Sequence, residues 1–261
     1  ARVLAARILA GNVLRRLGRT IDAEERFEAL VGMLSEKDPP SLQALASLNL
    51  AWIRTQRGRF AEGLELAQRA LERARAARDP MAQQQAYSTL AFVNDEMGDR
   101  EAAMRLHEES LRLSRAISFR RREGIDLANI GESLYRLERF DEARSKFEEG
   151  LAIFVEIGDR ACEGDCRVNL GRALLAGGGI EDALAMLATG IALCDATGRR
   201  EYAAIGHFYT GEAQLERGAL DEAKAAFSHA RDVFAELEWH DRWRAEVGLA
   251  RVAVAAGDAA A

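Results

Sequence analysis

The sequence predicts an all-α solenoid of about six helical hairpins closed by a terminal helix, and three observations predict it. Small residues return every 40 positions, at Gly11, Ala51, Ala91, Gly131, Gly171 and Gly211, each inside a helical pattern. A second comb, Ala23, Gly63, Ala103, Ala143, Ala183 and Ala223, follows each of them by 12 positions. Two small residues per period mean two closely approaching helices per period. Turn signals fall at one phase of each period, as in Gly58-Arg-Phe60, Gly98-Asp-Arg100, Glu138-Arg-Phe140, Gly178-Gly-Ile180 and Gly218-Ala-Leu220.

In this phase the units span about 4–43, 44–83, 84–123, 124–163, 164–203 and 204–242, and a single helix over about 243–256 covers the last hairpin. The total is about 13 helices and no strand. Solenoid units contact mainly their neighbours, so 1–261 is expected to be one elongated domain. The fifth unit is the clearest. Val168, Leu170, Leu174 and Leu175 mark its first helix and Leu184, Leu187, Ile191 and Cys194 its second, at the three- and four-residue spacings of helical stripes. Gly171 and Ala183 let the two backbones meet. Within each hairpin a left-handed glycine closes the first helix, and the acidic residues that follow favour the exposed amides of the second. Phe60, Phe140, Ile180 and Leu220 then plug the open end, whereas Arg100 breaks that rule and predicts a looser hairpin. Between hairpins, Asp79 with Pro80 reads as a cap followed by a first-turn proline.

Composition excludes several function classes. With 42 acidic and 36 basic residues and a formal charge of -6, the surface is mixed rather than strongly basic, which argues against nucleic acid as a partner. No stretch of 18 apolar residues is present to span a membrane. Three cysteines without a disulfide framework fit a reducing cytoplasm. The pattern begins in phase at Ala1, which reads as a fragment of a longer protein.

The small eighth residue, the alanine at the twentieth position and the aromatic or leucine at the twenty-fourth (Phe27, Phe147, Leu187, Phe227) resemble the tetratricopeptide repeat. The 40-residue length and the triplets Asn49-Leu50-Ala51, Asn129-Ile130-Gly131 and Asn169-Leu170-Gly171 are similar to the long variant of kinesin light chains, polarity adaptors and bacterial signalling sensors. The resemblance implies a right-handed α-α superhelix whose first helices line a concave groove. It implies that the sixth position (Asn49, Thr89, Asn129, Asn169, Tyr209), the ninth (Asn12, Trp52, Phe92, Glu132, Arg172, Glu212) and the thirteenth (Arg16, Gln56, Glu96, Arg136, Ala176, Glu216) face that groove.

An Asn amide offers a donor and an acceptor and can clasp an extended chain without requiring one sequence. Asn129, Arg136, Asn169 and Arg172 are expected to form a central polar patch, with the two arginines gripping a carboxylate of a partner's acidic segment or C-terminus. Trp52, Phe92 and Tyr209 are candidate aromatic anchors. Asn129 and Asn169 are open between ligand contact and bonding a neighbouring repeat, and Trp52 and Phe92 between exposure and packing. Glu132 and Glu212 are candidates to pair with Arg172 and other neighbours. Arg112, Arg115, Arg120, Arg121 and Arg122 form either a docking edge or, as preferred, a solvated loop.

Chemistry for catalysis or cofactors is missing. Cys162 and Cys166 lack a second pair at zinc-site spacing, and Cys166 and Cys194 fall at core positions. His107, His207, His229 and His240 read as solitary packing or surface residues. Gly177-Gly178-Gly179 lacks the Gly-Lys-Ser/Thr ending of a phosphate loop and reads as a turn. The expectation is a non-enzymatic protein- or peptide-binding scaffold, the sensor or adaptor region of a larger bacterial-type signalling protein, without metal or cofactor. Two alternatives stand beside it. One is a regulatory module packed on an attached catalytic or nucleotide-binding domain. The other is a self-association scaffold, a homodimer through Trp239, Trp243, Leu249 and Val252.

Overall fold

A computed structural model of the chain describes residues 2–16, 19–35, 37–237, 239 and 242–257. They form α1 (Arg2–Arg16), α2 (Thr20–Met33), α3 (Pro40–Gln56), α4 (Phe60–Ala76), α5 (Pro80–Glu96), α6 (Arg100–Ala116), α7 (Arg120–Arg136), α8 (Phe140–Ile157), α9 (Arg160–Ala176), α10 (Ile180–Thr197), α11 (Arg200–Glu216), α12 (Leu220–Glu236) and α13 (Arg242–Ala255), with no strand among the described residues. The chain divides into two compact units, Ala1–Ser133 and Leu134–Ala261. In the first, α1 pairs with α2, α3 with α4 and α5 with α6; in the second, α9 pairs with α10 and α11 with α12, and α13 lies on α12 and α11. Each unit is a solenoid of paired helices.

The helices start and stop for local reasons. The carboxylates of Asp79, Asp99 and Asp159 accept hydrogen bonds from the backbone N–H of Ala82, Ala102 and Cys162 at 3.0, 3.0 and 3.1 Å, satisfying amides that the first turn leaves unpaired. Pro80 occupies the first helical position after Asp79. Gly58, Gly98, Gly178 and Gly218 close first helices with φ of 75, 87, 82 and 81°, and Glu138 takes the same turn at 60°. The Gly177-Gly178-Gly179 run is such a turn, between α9 and α10. Arg100 does not loosen its hairpin: α6 begins there, runs 17 residues like α4, and is capped by Asp99.

The small-residue comb is a packing code. A Cβ added at Gly11 would lie 2.6 Å from the Phe27 ring, one at Gly171 2.7 Å from Leu187, and one at Gly211 2.7 Å from Phe227. Where the position carries Ala, at Ala51 and Ala91, the residue 16 further on is Ala67 or His107 rather than Phe or Leu. The bulkiest apolar partners, Phe and Leu, therefore fall where the first position has no Cβ, as close packing requires. In the first unit Ile8, Phe27, Leu30, Leu50 and Ile53 form one core cluster. In the second, Val168, Leu187, Phe208, Phe227 and Phe234 form another. Each fully buried Phe or Leu contributes roughly 1.5–3 kcal/mol.

Candidate functional site

The pairing of helices leaves one face of α1, α3, α5 and α7 uncovered in the first unit, and these faces line a groove of about 420 Å³. Asn12, Trp52, Phe92 and Glu132 run along it at 40-residue intervals, beside a row of Asn49, Thr89 and Asn129. Trp52 stacks on Phe92 with ring centroids 5.8 Å apart and planes 20° from parallel, and the Arg15 guanidinium lies 4.4 Å from the Trp52 centroid. The two rings therefore pack on each other and face the groove at once. Asn49 donates through Nδ2 to the Leu45 carbonyl at 2.8 Å, and Thr89 through Oγ1 to that of Gln85 at 3.0 Å. These donors serve their own helix rather than a neighbouring repeat, and the Asn49 side chain keeps its carbonyl oxygen for other contacts. Among the charged lining residues, Arg15 and Arg122 are balanced by Asp95 and Glu132.

A buried polar network lies on α5, α6 and α7 of the same unit. Gln84 donates Nε2 to Ser110 Oγ at 2.8 Å, Ser110 donates to Asp126 Oδ1 at 2.8 Å, and Ser114 donates to Asp126 Oδ2 at 2.7 Å. Burial pushes the Asp126 carboxyl up to about 6, although both hydroxyl hydrogen bonds pull the other way. His107 is 6% exposed, and burial with the nearby Arg122 charge pushes its imidazole down to about 4, so it is neutral at pH 7. It is the one groove-lining residue that comes from a second helix. Ser88, Ser133 and Arg122 also line the groove, and the two serines lie outside the rows that the repeat resemblance implies. Their signal is polarity where the repeat is elsewhere mostly apolar, as at Ile8, Leu48, Val168 and Phe208 against Ser88.

The remaining expected site residues belong to the second unit. Asn169 is half-buried and Arg136 is exposed. The Arg172 guanidinium sits 4.0 Å from the Tyr135 ring centroid and 5.6 Å from that of Tyr209, and this stacking holds its plane in place. Tyr209 is buried rather than an open anchor: its ring packs edge-on against Phe208 at 5.1 Å and its hydroxyl accepts from Arg244 of α13 at 3.4 Å. The cause is α13, which covers this part of α11. Glu212 pairs with Arg251 at 2.7 Å. The Arg16 side chain and His240 lie outside the described residues.

Other sequence features resolve as structure. Arg112 pairs with Glu109 at 2.9 Å, and Arg115 and Arg120 with Glu123 at 2.9 and 2.6 Å, so these arginines are matched by acids. Cys166 and Cys194 are buried and their thiols are pushed up to about 12 by burial. His207 and His229 are not solitary, since their rings lie 4.1 Å apart. Trp239 packs on Phe234 at 5.7 Å and Val252 is 4% exposed, which removes these two from the expected apolar surface; Trp243 of that set is exposed, together with Val247 and Val254. Among the described residues no group of three His, Cys, Asp or Glu side chains is placed to hold a metal ion, and no helix is long and apolar enough to cross a membrane.

Comparison with known families matches tetratricopeptide repeat models to residues 8–80, 84–118 and 125–196. No curated protein sequence matches. Among solved structures, a Signal Transduction ATPase with Numerous Domains carrying a tetratricopeptide repeat sensor, from Pyrococcus horikoshii, is 14% identical with a TM-score of 0.77, over 98% of this chain and 39% of that chain. BtubC from P. vanneervenii is 19% identical with a TM-score of 0.66, over 90% of this chain and 92% of that one. The Rap conjugation gene regulator of the plasmid pLS20, in complex with the Phr* peptide, is 13% identical with a TM-score of 0.69, over 96% and 73%. At these identities the likeness is one of fold.

Proposed function

Because this chain belongs to the tetratricopeptide-repeat family, we propose that it is a non-catalytic scaffold that holds an extended peptide or protein segment in the groove of its first unit. The observation that carries this reading is the groove itself. Four successive first helices supply it with two regular rows, one of aromatic and polar residues and one of Asn and Thr. A periodic surface of this kind matches the period of an extended chain better than the shape of a compact metabolite. The peptide bound to the pLS20 regulator supports the same class of ligand. The division into six forty-residue repeats with a terminal helix is part of this proposal.

The finer reading is a cytoplasmic sensor or adaptor region within a larger bacterial-type signalling protein. Its support is that the chain corresponds to 39% of a signalling ATPase with a repeat sensor. The same correspondence favours a second reading, a module regulating an attached catalytic or nucleotide-binding domain. An acidic partner would engage Arg136 of the second unit, which is exposed; Arg172 would take part only while remaining stacked on Tyr135. Calorimetry with peptides selected from a library tests the groove. Joint replacement Asn49→Ala and Trp52→Ala is expected to weaken binding at least about tenfold, the loss of one anchor's worth of affinity. Unchanged affinity rejects the site.

A further inference from the structure

The third hairpin differs from the others where its second helix meets the groove. In the second unit Phe227 of α12 shows what this position touches. Its ring centroid lies 5.6 Å from that of Phe208, and a Cβ added at Gly248 of the next first helix would lie 2.6 Å from the same ring. Shifted by the repeat, and allowing for the one-residue offset of α13, Phe208, Phe227 and Gly248 correspond to Ser88, His107 and Asn129. The first two positions are Ile8 and Phe27 in the first hairpin, Leu48 and Ala67 in the second, and Val168 and Leu187 in the fifth. Only the third hairpin has hydrogen-bonding side chains at all three places, and all three line the groove.

Ser133, one turn beyond Asn129 on α7, belongs with them. It is 2% exposed and lines the groove, where the repeat elsewhere places Ile53, Val93, Ala173 and Ala213. Among the described residues the side chains of Ser88, His107, Asn129 and Ser133 make no hydrogen bond, and the Nδ1 of His107 is fully sealed. A polar atom buried without a partner, as His107 Nδ1 is, is unfavourable, and it lies at the point where the groove reaches the second layer of helices.

We propose that Ser88, His107, Asn129 and Ser133 form a subsite in the groove floor for an uncharged polar side chain of the bound segment, the primary amide of Gln or Asn. This rests on the reading that the groove holds an extended chain. The four groups are an imidazole, two hydroxyls and an amide, which together present donors and acceptors and no charge; a primary amide matches such a set with its own carbonyl and NH2. A carboxylate would enter a groove whose lining already holds two acids, Asp95 and Glu132, for its two arginines, Arg15 and Arg122, with Asp126 buried on α7. An apolar side chain would leave the subsite's polar groups unpaired, and sites built to hydrogen-bond reject such analogues strongly.

A positional-scanning library of amidated nonapeptides, presented to the full chain, tests the subsite. Gln or Asn is expected to be enriched at one position, and replacing that residue by Glu or Met is expected to weaken binding at least about tenfold. Two variants alter the floor while keeping pairings the repeat itself uses. His107→Phe combined with Ala91→Gly installs the Gly–Phe pair of Gly11 with Phe27, and His107→Ala leaves the Ala–Ala pair of Ala51 with Ala67. Both are expected to fold, to retain the contribution of Asn49 and Trp52, and to lose the amide preference. Enrichment of acidic, basic or apolar residues at that position overturns the inference, as does an amide preference that survives in both variants. If binding depends on Asn49 and Trp52 but shows no amide preference, the subsite alone fails; if it depends on neither, the groove reading fails first.

Discussion

His107 and Asp126 sit on neighbouring helices of the first unit, and burial moves their titrations in opposite directions because it disfavours whichever form carries charge. His207 behaves like His107: burial, reinforced by His229 with its ring 4.1 Å away, pushes it down to about 4. Each of these histidines contributes stability that is complete above its ordinary value of 6.5 and is lost as the pH falls toward about 4. Asp126, raised from 3.8 to about 6, contributes stability that is present at low pH and lost as the pH rises through about 6. Burial raises Asp165 as well, in the same direction as Asp126; between pH 7 and pH 5 the two histidines outweigh these two carboxyls, so urea unfolding is expected to find the protein less stable at pH 5. Asp126→Asn removes its opposing contribution and should widen the gap between the two pH values. A gap that stays the same or narrows in the variant would show that these protonation changes do not set the slope.

At the level of the elements, the hairpins depend on one left-handed residue per turn. Four of the first-helix turns use glycine for it, while Glu138 adopts φ of 60° with a full side chain, and Arg78 and Ser118 do the same between hairpins. An L-residue with a Cβ is strained there in a way glycine is not. Glu138→Gly is therefore expected to stabilise the protein by about 0.5–1 kcal/mol, and Gly218→Glu to destabilise it by a similar amount. Denaturant midpoints of the two variants check this, and a drop in stability for Glu138→Gly would mean that the glutamate makes contacts worth more than the strain. The aspartate caps explain why α6 is as regular as its counterparts despite Arg100. A cap satisfies the backbone at a helix start whether or not an apolar plug follows.

On the scale of the whole molecule, repetition builds each unit's core from neighbour contacts, and it also marks where a contact is missing. Trp243, Val247 and Val254 of α13 are 59, 48 and 76% exposed. They correspond to Ala204, Phe208 and Leu215 of α11, the stripe that in that hairpin faces its second helix. An apolar stripe at this helical spacing is the kind of surface a second copy can cover. Self-association is expected to run through these three residues rather than through Trp239, Leu249 and Val252. Sedimentation over a wide concentration range should show a monomer–dimer equilibrium that Trp243→Glu shifts to monomer; a single monomeric species in the unaltered protein would remove the homodimer from consideration.

Helix count, phase, turn position and capping were determined by the sequence itself, because each depends on residues within one turn or on a strict 40-residue recurrence. The rows facing the groove were legible for the same reason, from Asn49 and Trp52 to Phe92 and Asn129. The tertiary structure alone decided that Tyr209 is covered by α13, that Trp52 and Phe92 stack on each other, and that Glu212 meets Arg251. It alone brought Ser88, His107, Asn129 and Ser133 to one groove, where their side chains have no hydrogen bond among the described residues. Burial and hydrogen bonding of a side chain are set by neighbours one or two repeats away, and a periodic sequence states how often a position returns but not what its neighbours leave unmet.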